Sequence, residues 1–368
     1  MSPTDFIPQM RPLFGAAEKA ELMAYLDEDG FYTEFRKTEA FERAIGGFTG
    51  ARHCIVVNNG TVSLTLAAMA LGIGPGDEVV VPDYTMIATP NSVAMLGARP
   101  VFVDVEPGTL VMDIALARQA ITPRTKAIML VSANGRAPRA GIAAFEALSR
   151  ETGIPLIEDA AQSLGSFYAD GRHVGRAGAI GSFSFSAPKI ISTGQGGALV
   201  TDDDALATRL RRLKDFGRAA GGTDVHDSIG YNFKFTELQA CVGLAQMGQL
   251  PDRIQRKKQI WQRYATGLAG VDGIELFGHD LALCTPWFID CRAMRRDELA
   301  AHLKAQGIGT RTMYPPIHQQ QAYALPGHHP VAEAIGRDGL WLPSMVQLTD
   351  AQIDRICSEI AGFYRASR

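Results

Sequence analysis

The chain lacks a charge excess of either sign, a long apolar run and any grouping of cysteines, and each lack closes off a class of function. A formal net charge of −3 and a pI near 6.3 leave no footprint for nucleic acid, because binding a phosphate backbone takes clustered Lys and Arg. Only two short basic runs occur, Arg209 to Lys214 and Arg253 to Lys258, and both read as solvated helix faces. No segment approaches the roughly eighteen consecutive apolar residues of a membrane span. The start, MSPTDFIPQMRPLFG, has no apolar core of a secretion signal, so a cytoplasmic location is expected. Cys54, Cys241, Cys284, Cys291 and Cys357 are an odd set without a CxxC pair or a Cys/His grouping at zinc spacing. They read as reduced packing residues, and no metal site is expected. A dinucleotide loop is missing as well: Gly72-Ile73-Gly74-Pro75-Gly76 follows a helix and precedes a strand, the reverse of the context a nicotinamide site needs.

What is present is ordinary globular material, 46% hydrophobic and 20% charged over 368 residues, enough for one large domain and a smaller one. After an arm, residues 16–26 and 39–48 have apolar positions at helical spacing, with Thr33 and Thr38 as caps for the second. Short apolar strands at 54–57, 79–81, 100–103, 127–131 and 155–157 then alternate with helices at 62–71, 88–96, 113–120 and 142–152. That is the βαβ rhythm of a mostly parallel sheet covered on both faces, whose ligands bind at the carboxyl ends of the strands. A basic and apolar helix at 253–268 reads as a connector. Beyond it, strands near Trp287 to Cys291 and Thr310 to Met313 mix with helices at 296–306 and 350–364, as in an α+β unit. The expected division is residues 1–250 and 251–368.

The chemistry collects at strand ends. In SFSFSAPKIISTGQGG, from Ser182 to Gly197, the alternating Ser/Phe run reads as a strand and Pro188 ends it, which leaves Lys189 on a turn before the strand 198–201. Asn58-Asn59-Gly60-Thr61 joins a strand to a helix, which is either an anion site at the helix N-terminus or a plain cap by Asn59 or Thr61. Asp159 ends an apolar strand and reads either as a helix cap or as the counter-ion of a protonated pyridine ring. Arg136, also past a strand, is either a surface residue or a ligand for a substrate carboxylate or phosphate. Tyr314-Pro315-Pro316-Ile317-His318 is a rigid turn presenting an aromatic and an imidazole, whereas His328 and His329 look merely exposed.

Taken together, NNGT (58–61), GIGPGDEVVVP (72–82), ITPRTKAI (121–128), IEDAAQS (157–163), FSFSAPK (183–189), GQGG (194–197) and GYNFKFTELQA (230–240) closely resemble the DegT/DnrJ/EryC1/StrS sugar-nucleotide aminotransferases. These are fold-type-I pyridoxal-phosphate enzymes, and RTMYPPIH (311–318) and GLWLPS (339–344) are most similar to the perosamine-synthase-like group. The resemblance implies an α/β fold, with a mostly parallel seven-stranded-type sheet in a large domain and a smaller α+β C-terminal domain. It further implies pyridoxal 5'-phosphate, with Lys189 bonded to the cofactor, Asp159 on the ring nitrogen and Gln162 on the phenolic oxygen. Ser184 and the amides of Gly60 and Thr61 would hold the phosphate. Asn232 would reach the phosphate of a neighbouring copy, which implies a homodimer. Tyr314, His318 and Arg136 are the substrate candidates. L-Glutamate would donate the amino group to a keto-sugar, expected to be a nucleotide-linked 4-keto-6-deoxyhexose. A 3-keto or non-nucleotide sugar, a pyridoxal-dependent sugar dehydratase and a non-catalytic regulator are the rivals. The dehydratase would carry histidine at Lys189, and a regulator would carry a basic patch or helix-turn-helix. Three positions depart from the family's pattern. Met86, with Tyr84 two residues before it, stands where relatives have a stacking aromatic; Ser132 to Arg136 replaces HLYG; and Gln195 replaces a glutamate.

Overall fold

Strands that are apolar on both sides of the pleat must be covered on both faces, and the first half of the chain builds around such strands. The computed structural model describes residues 6–28 and 30–366; the first five residues of the arm lie outside that range. Its main sheet contains β1 (His53–Val57), β2 (Glu78–Pro82), β3 (Arg99–Val103), β4 (Thr125–Val131), β5 (Leu156–Asp159), β6 (Ile180–Ser184) and β7 (Gly197–Thr201), in the order β1-β7-β6-β5-β4-β2-β3. The pairs from β3 to β6 are parallel, and β7 runs antiparallel to both β6 and β1. Alternate residues feed two cores, as strand period requires: Val56, Val80, Ile128 and Phe183 pack on one face, and Ile55, Val81, Met129 and Leu199 on the other. The antiparallel turn from β6 to β7 carries Lys189.

A second, antiparallel sheet, β10-β11-β9-β8, contains β8 (Ile274–Leu276), β9 (Ile289–Ala293), β10 (Arg311–Thr312) and β11 (Gly339–Leu342). The helix Leu250–Gly267 packs Ile260 and Tyr264 against this sheet, together with the helices Arg296–Ala305 and Asp350–Arg365. The N-terminal arm joins the same layer, with Ile7 bridging to Ile308. No helix among the described residues is long and apolar enough to cross a membrane.

Several local expectations change. The strand expected at 287–291 starts two residues later, and β8, β11 and the helices Glu237–Gly248 and Pro330–Asp338 had no clear sequence signal. β8 has only three residues, and β11, GLWL, is buried throughout and shows no alternation. Thr33 and Thr38 are not caps. The helix Arg36–Thr49 has Phe35 at its N-cap without a side-chain cap bond, and the buried carboxylate of Glu237 accepts the amides of Phe35, Lys37 and Thr38 from about two hundred residues away. Nor are the basic runs simply solvated. Lys214 is buried, 2.7 Å from Glu34 and bonded to the Val56 carbonyl. Lys257 is buried on the Ser344 carbonyl, where burial pushes its pKa down to about 7. Arg253, also buried, donates to the carbonyls of Leu13 and Ile190.

Candidate active site

A cavity of about 430 Å³ opens at the carboxyl ends of β1, β2, β4, β5 and β6, lined by Gly60, Thr61, Met86, Asp159, Gln162, Ser184 and Lys189 among others. Lys189 hangs into it from the β6–β7 turn, with its own amide bonded to the Ser186 carbonyl at 3.0 Å. Its Nζ lies 4.3 Å from the ring centre of Trp287, and the Trp287 Nε1 donates to the carbonyl of Pro188 at 2.8 Å. Trp287 is 4% exposed. An indole face replaces water as the neighbour of the amine, and burial pushes the Lys189 pKa down to about 8, against the opposing pull of the Asp159 charge.

Asp159 ends β5 and faces the cavity, while its neighbour Glu158 points to the other face. Glu158 is fully satisfied there by the Tyr168 hydroxyl and the amides of Gly175, Ala177 and Gly178. Asp159 has less. It accepts from the Thr89 hydroxyl at 2.8 Å and the Ala161 amide at 3.2 Å, and among the described residues it has no ion-pair partner. Burial raises its pKa. Lys189, beyond ion-pair distance, offsets this only in part; a buried carboxylate without a contacting cation is costly, and a protonated ring nitrogen is a group that would relieve it.

The third component is a cradle for an anion. The helix Gly60–Ala70 starts at the cavity; the Asn59 side chain caps the amide of Val62 and the Asn59 carbonyl takes that of Ser63. The first-turn amides of Gly60 and Thr61 therefore remain for a ligand, at the positive end of the helix. The Ser184 and Ser186 hydroxyls, 3.3 Å apart, complete a ring of neutral donors. Gly60 is required by space: a Cβ there would stand 2.8 Å from the Ser184 Cβ. A phosphate, a ring cation and an aldehyde would thus meet a donor cradle, an unpaired carboxylate and a lysine of lowered pKa, which is the set pyridoxal phosphate needs.

Gln162 accepts the Asn134 amide at 2.7 Å through Oε1, which leaves its Nε2 as a donor. Met86 is half exposed on the cavity wall, whereas Tyr84 is buried elsewhere with its ring against Tyr314. Of the two, the thioether is the one placed to cover a ring. Gln195 uses its backbone carbonyl, which accepts from Thr193 and from Gln239 and so ties the turn to the helix Glu237–Gly248. Asn232 is exposed and lies outside this chain's cavity. Tyr314 packs edge-on to Trp341, and burial with the nearby Asp159 charge raises its hydroxyl pKa despite Arg311.

Two substrate candidates need correction. Arg136 is neither a surface residue nor free for a ligand: it is 4% exposed, holds Asp290 with two bonds of 2.8 and 2.7 Å, and donates to the Gly278 carbonyl and toward His279. Asn134, at φ 54°, adds paired bonds to the backbone of Phe288. The segment 132–136 thus clasps β9 to the main sheet. His318 is also buried, with its amide and Nδ1 both on Asp83, so it does not line the cavity. Trp287, Thr89 and Ser186 had not been singled out. Thr89 and Ser186 each lie near a recognised motif, but nothing local links Trp287 to a lysine 98 residues earlier.

A model of the DegT/DnrJ/EryC1/StrS aminotransferase family matches residues 14–361. The chain is 36% identical over 363 residues to a GDP-perosamine synthase of Escherichia coli O157:H7, covering 98% of this chain and 99% of that one. It is 35% identical over 369 residues to the GDP-perosamine synthase of Caulobacter vibrioides, with 98% and 99% covered. Among solved structures, the aminotransferase TlmJ of Streptoalloteichus hindustanus superposes with a TM-score of 0.93 at 33% identity, over 99% of this chain and all of that one.

Proposed function

Because the chain belongs to the DegT/DnrJ/EryC1/StrS aminotransferase family and is a pyridoxal-phosphate-dependent transaminase, we propose that it transfers the amino group of L-glutamate to C4 of a GDP-linked 4-keto-6-deoxyhexose. The observation that carries this reading is end-to-end similarity to two GDP-perosamine synthases.

When bound, the cofactor supplies an electron sink for the pair left behind at the carbon that loses its proton. The protein's residues do the rest. With a pKa near 8, Lys189 holds an appreciable neutral fraction near neutral pH, so it can bond the cofactor and, once displaced by substrate, accept and return the Cα proton. Trp287 keeps water from that amine and fixes its direction. Asp159 holds a proton on the ring nitrogen, and Thr89 fixes the carboxylate. Gly60, Thr61, Ser184 and Ser186 hold the phosphate, Gln162 donates to the phenolic oxygen, and Met86 covers the ring. Tyr314 lies outside the cavity lining, against Tyr84 and Trp341, so no sugar contact is assigned to it. Asn232 of a second copy completes the phosphate site, so the working unit is a homodimer. The exposed Phe31, Tyr32, Ile229 and Tyr231 support this, since large apolar side chains left in water suit a covering partner. The large unit runs from the helix Ala16–Asp27 to about residue 250, and the small one takes the rest of the chain together with the arm at Ile7, which packs on the second sheet.

Purified protein would be assayed with L-glutamate and a panel of GDP-, dTDP- and UDP-linked 3-keto and 4-keto sugars. The expected result is the highest kcat/KM for the GDP-linked 4-keto-6-deoxyhexose. A preference for another nucleotide or a 3-keto sugar overturns the substrate assignment, and dehydration without amination overturns the reaction.

A further inference from the structure

One group of imidazoles and carboxylates has no part in this chemistry. Asp83, immediately after β2, is fully buried and His318 is 3% exposed. The Asp83 carboxylate accepts the His318 amide at 2.8 Å and lies 2.6 Å from its Nδ1. On the other side of the ring, His318 Nε2 is 3.7 Å from Glu333 Oε1. The ring of His329 stands 4.7 Å from that of His318, centre to centre, and His328 Nδ1 is 3.2 Å from Glu333. Ligand atoms of Asp83, His318 and His329 all fall within 4.8 Å of one another.

Among the described residues no Lys or Arg pairs with Asp83 or Glu333, so imidazoles are the basic groups these two carboxylates face. The adjacent helix Pro330–Asp338 reaches Glu333 alone, through the His329 amide at 3.0 Å, while Asp104 accepts its next amides, those of Val331 and Ala332. We propose that Asp83, His318 and His329 bind a divalent transition metal ion of the Zn²⁺ class, with the fourth position left to solvent. Mixed imidazole and carboxylate donors suit zinc and its neighbours better than Mg²⁺ or Ca²⁺, which prefer oxygen alone. Bonds of about 2.0–2.1 Å in a tetrahedron place ligand atoms about 3.4 Å apart. The observed separations, 2.6 Å to within 4.8 Å, lie on either side of that value, so modest side-chain shifts close the site. The ion ties the end of β2 to the 314–318 turn and the start of the helix Pro330–Asp338, three segments that local sequence does not connect. This also revises the expectation of no metal site: Asp83 and His318 are 235 residues apart, so no short-spacing motif announces them.

The test uses the pyridoxal-phosphate-loaded enzyme, stripped on a chelating resin and titrated with ZnCl₂ by calorimetry, with Co²⁺ substitution as a spectroscopic probe. The expected result is one Zn²⁺ per chain, visible bands of four-coordinate Co²⁺, and a loss of affinity on the order of tenfold or more in His329→Ala. His329 is only partly buried, so its removal spares the core. Absence of stoichiometric uptake, or uptake equal in wild type and His329→Ala, overturns the site and leaves Asp83 and His318 as an ordinary ion pair.

Discussion

Replacing Arg136 by Met tests the clasp between the two sheets, because it removes a buried guanidinium and leaves the Asp290 carboxylate behind. In the native protein burial alone would raise the Asp290 pKa, but Arg136 and His279 hold it well below the usual carboxylate range. Without Arg136 the low-dielectric site favours the uncharged acid, so the folded variant takes up a proton that the unfolded chain does not hold. At pH 7 that proton is added about three pH units above an unfolded pKa near 3.9, which at about 1.36 kcal/mol per unit is about 4 kcal/mol. This agrees with the roughly 3–5 kcal/mol expected when one member of a buried pair is removed. The sign follows. A carboxyl whose folded pKa is raised loses stability as pH rises above its unfolded pKa, so the loss shrinks to about 1.5 kcal/mol at pH 5. His279, 3.6 Å from Asp290, is the other place the proton can go, and its capture sets a smaller loss with the same sign. Urea unfolding of wild type, Arg136→Met and the double variant Arg136→Met/Asp290→Leu between pH 5 and 8 reads this directly. The double variant is expected to recover most of the loss, since an apolar pair of similar volume replaces an ionic one. A loss below about 1 kcal/mol at pH 7, or no extra proton uptake on folding, refutes the reasoning.

Lys189→Ala is expected to abolish transamination while leaving the far-ultraviolet circular dichroism unchanged; measurable turnover contradicts the role given to the lysine. In the cofactor-free protein, amine-reactive labelling of Lys189 should reach half its maximum near pH 8, as the burial-lowered pKa requires. Asp159→Asn should move that midpoint lower, because the Asp159 charge opposes the downward shift, and a midpoint near 10 in either protein argues against a dry site. Gly60→Ala should weaken cofactor binding on the order of tenfold or more with little change in urea midpoint, since its Cβ would meet Ser184 at 2.8 Å inside the phosphate cradle. Trp287→Phe should retain most activity and Trp287→Leu should narrow the pH range of kcat, which a purely structural tryptophan would not do.

The parts of the site legible in the sequence are those whose meaning is local. Gly60 and Thr61, Asp159, Ser184 and Lys189 each stand at the end of an apolar strand, and a parallel sheet brings such ends to one edge. The antiparallel turn from β6 to β7 was visible as two short strands around a glycine-rich loop. What escaped reading depends on partners far along the chain. Arg136 looks like a surface arginine until Asp290 is placed beside it, 154 residues away. Lys214, Arg253 and Lys257 sit in basic runs, yet helix geometry turns one residue of each few inward, where carbonyls or carboxylates meet it. Glu237 caps a helix that has no cap residue of its own, and Trp287 meets Lys189 only because β9 is clasped onto the main sheet.

The central claim is that Lys189 is the group bonded to the cofactor, and the most direct measurement is borohydride reduction of the pyridoxal-phosphate-loaded enzyme followed by peptide mapping by mass spectrometry. The account predicts loss of the visible absorbance band and one modified peptide, containing Lys189 and carrying the reduced cofactor. Stoichiometric modification at any other lysine, with Lys189 untouched, contradicts it.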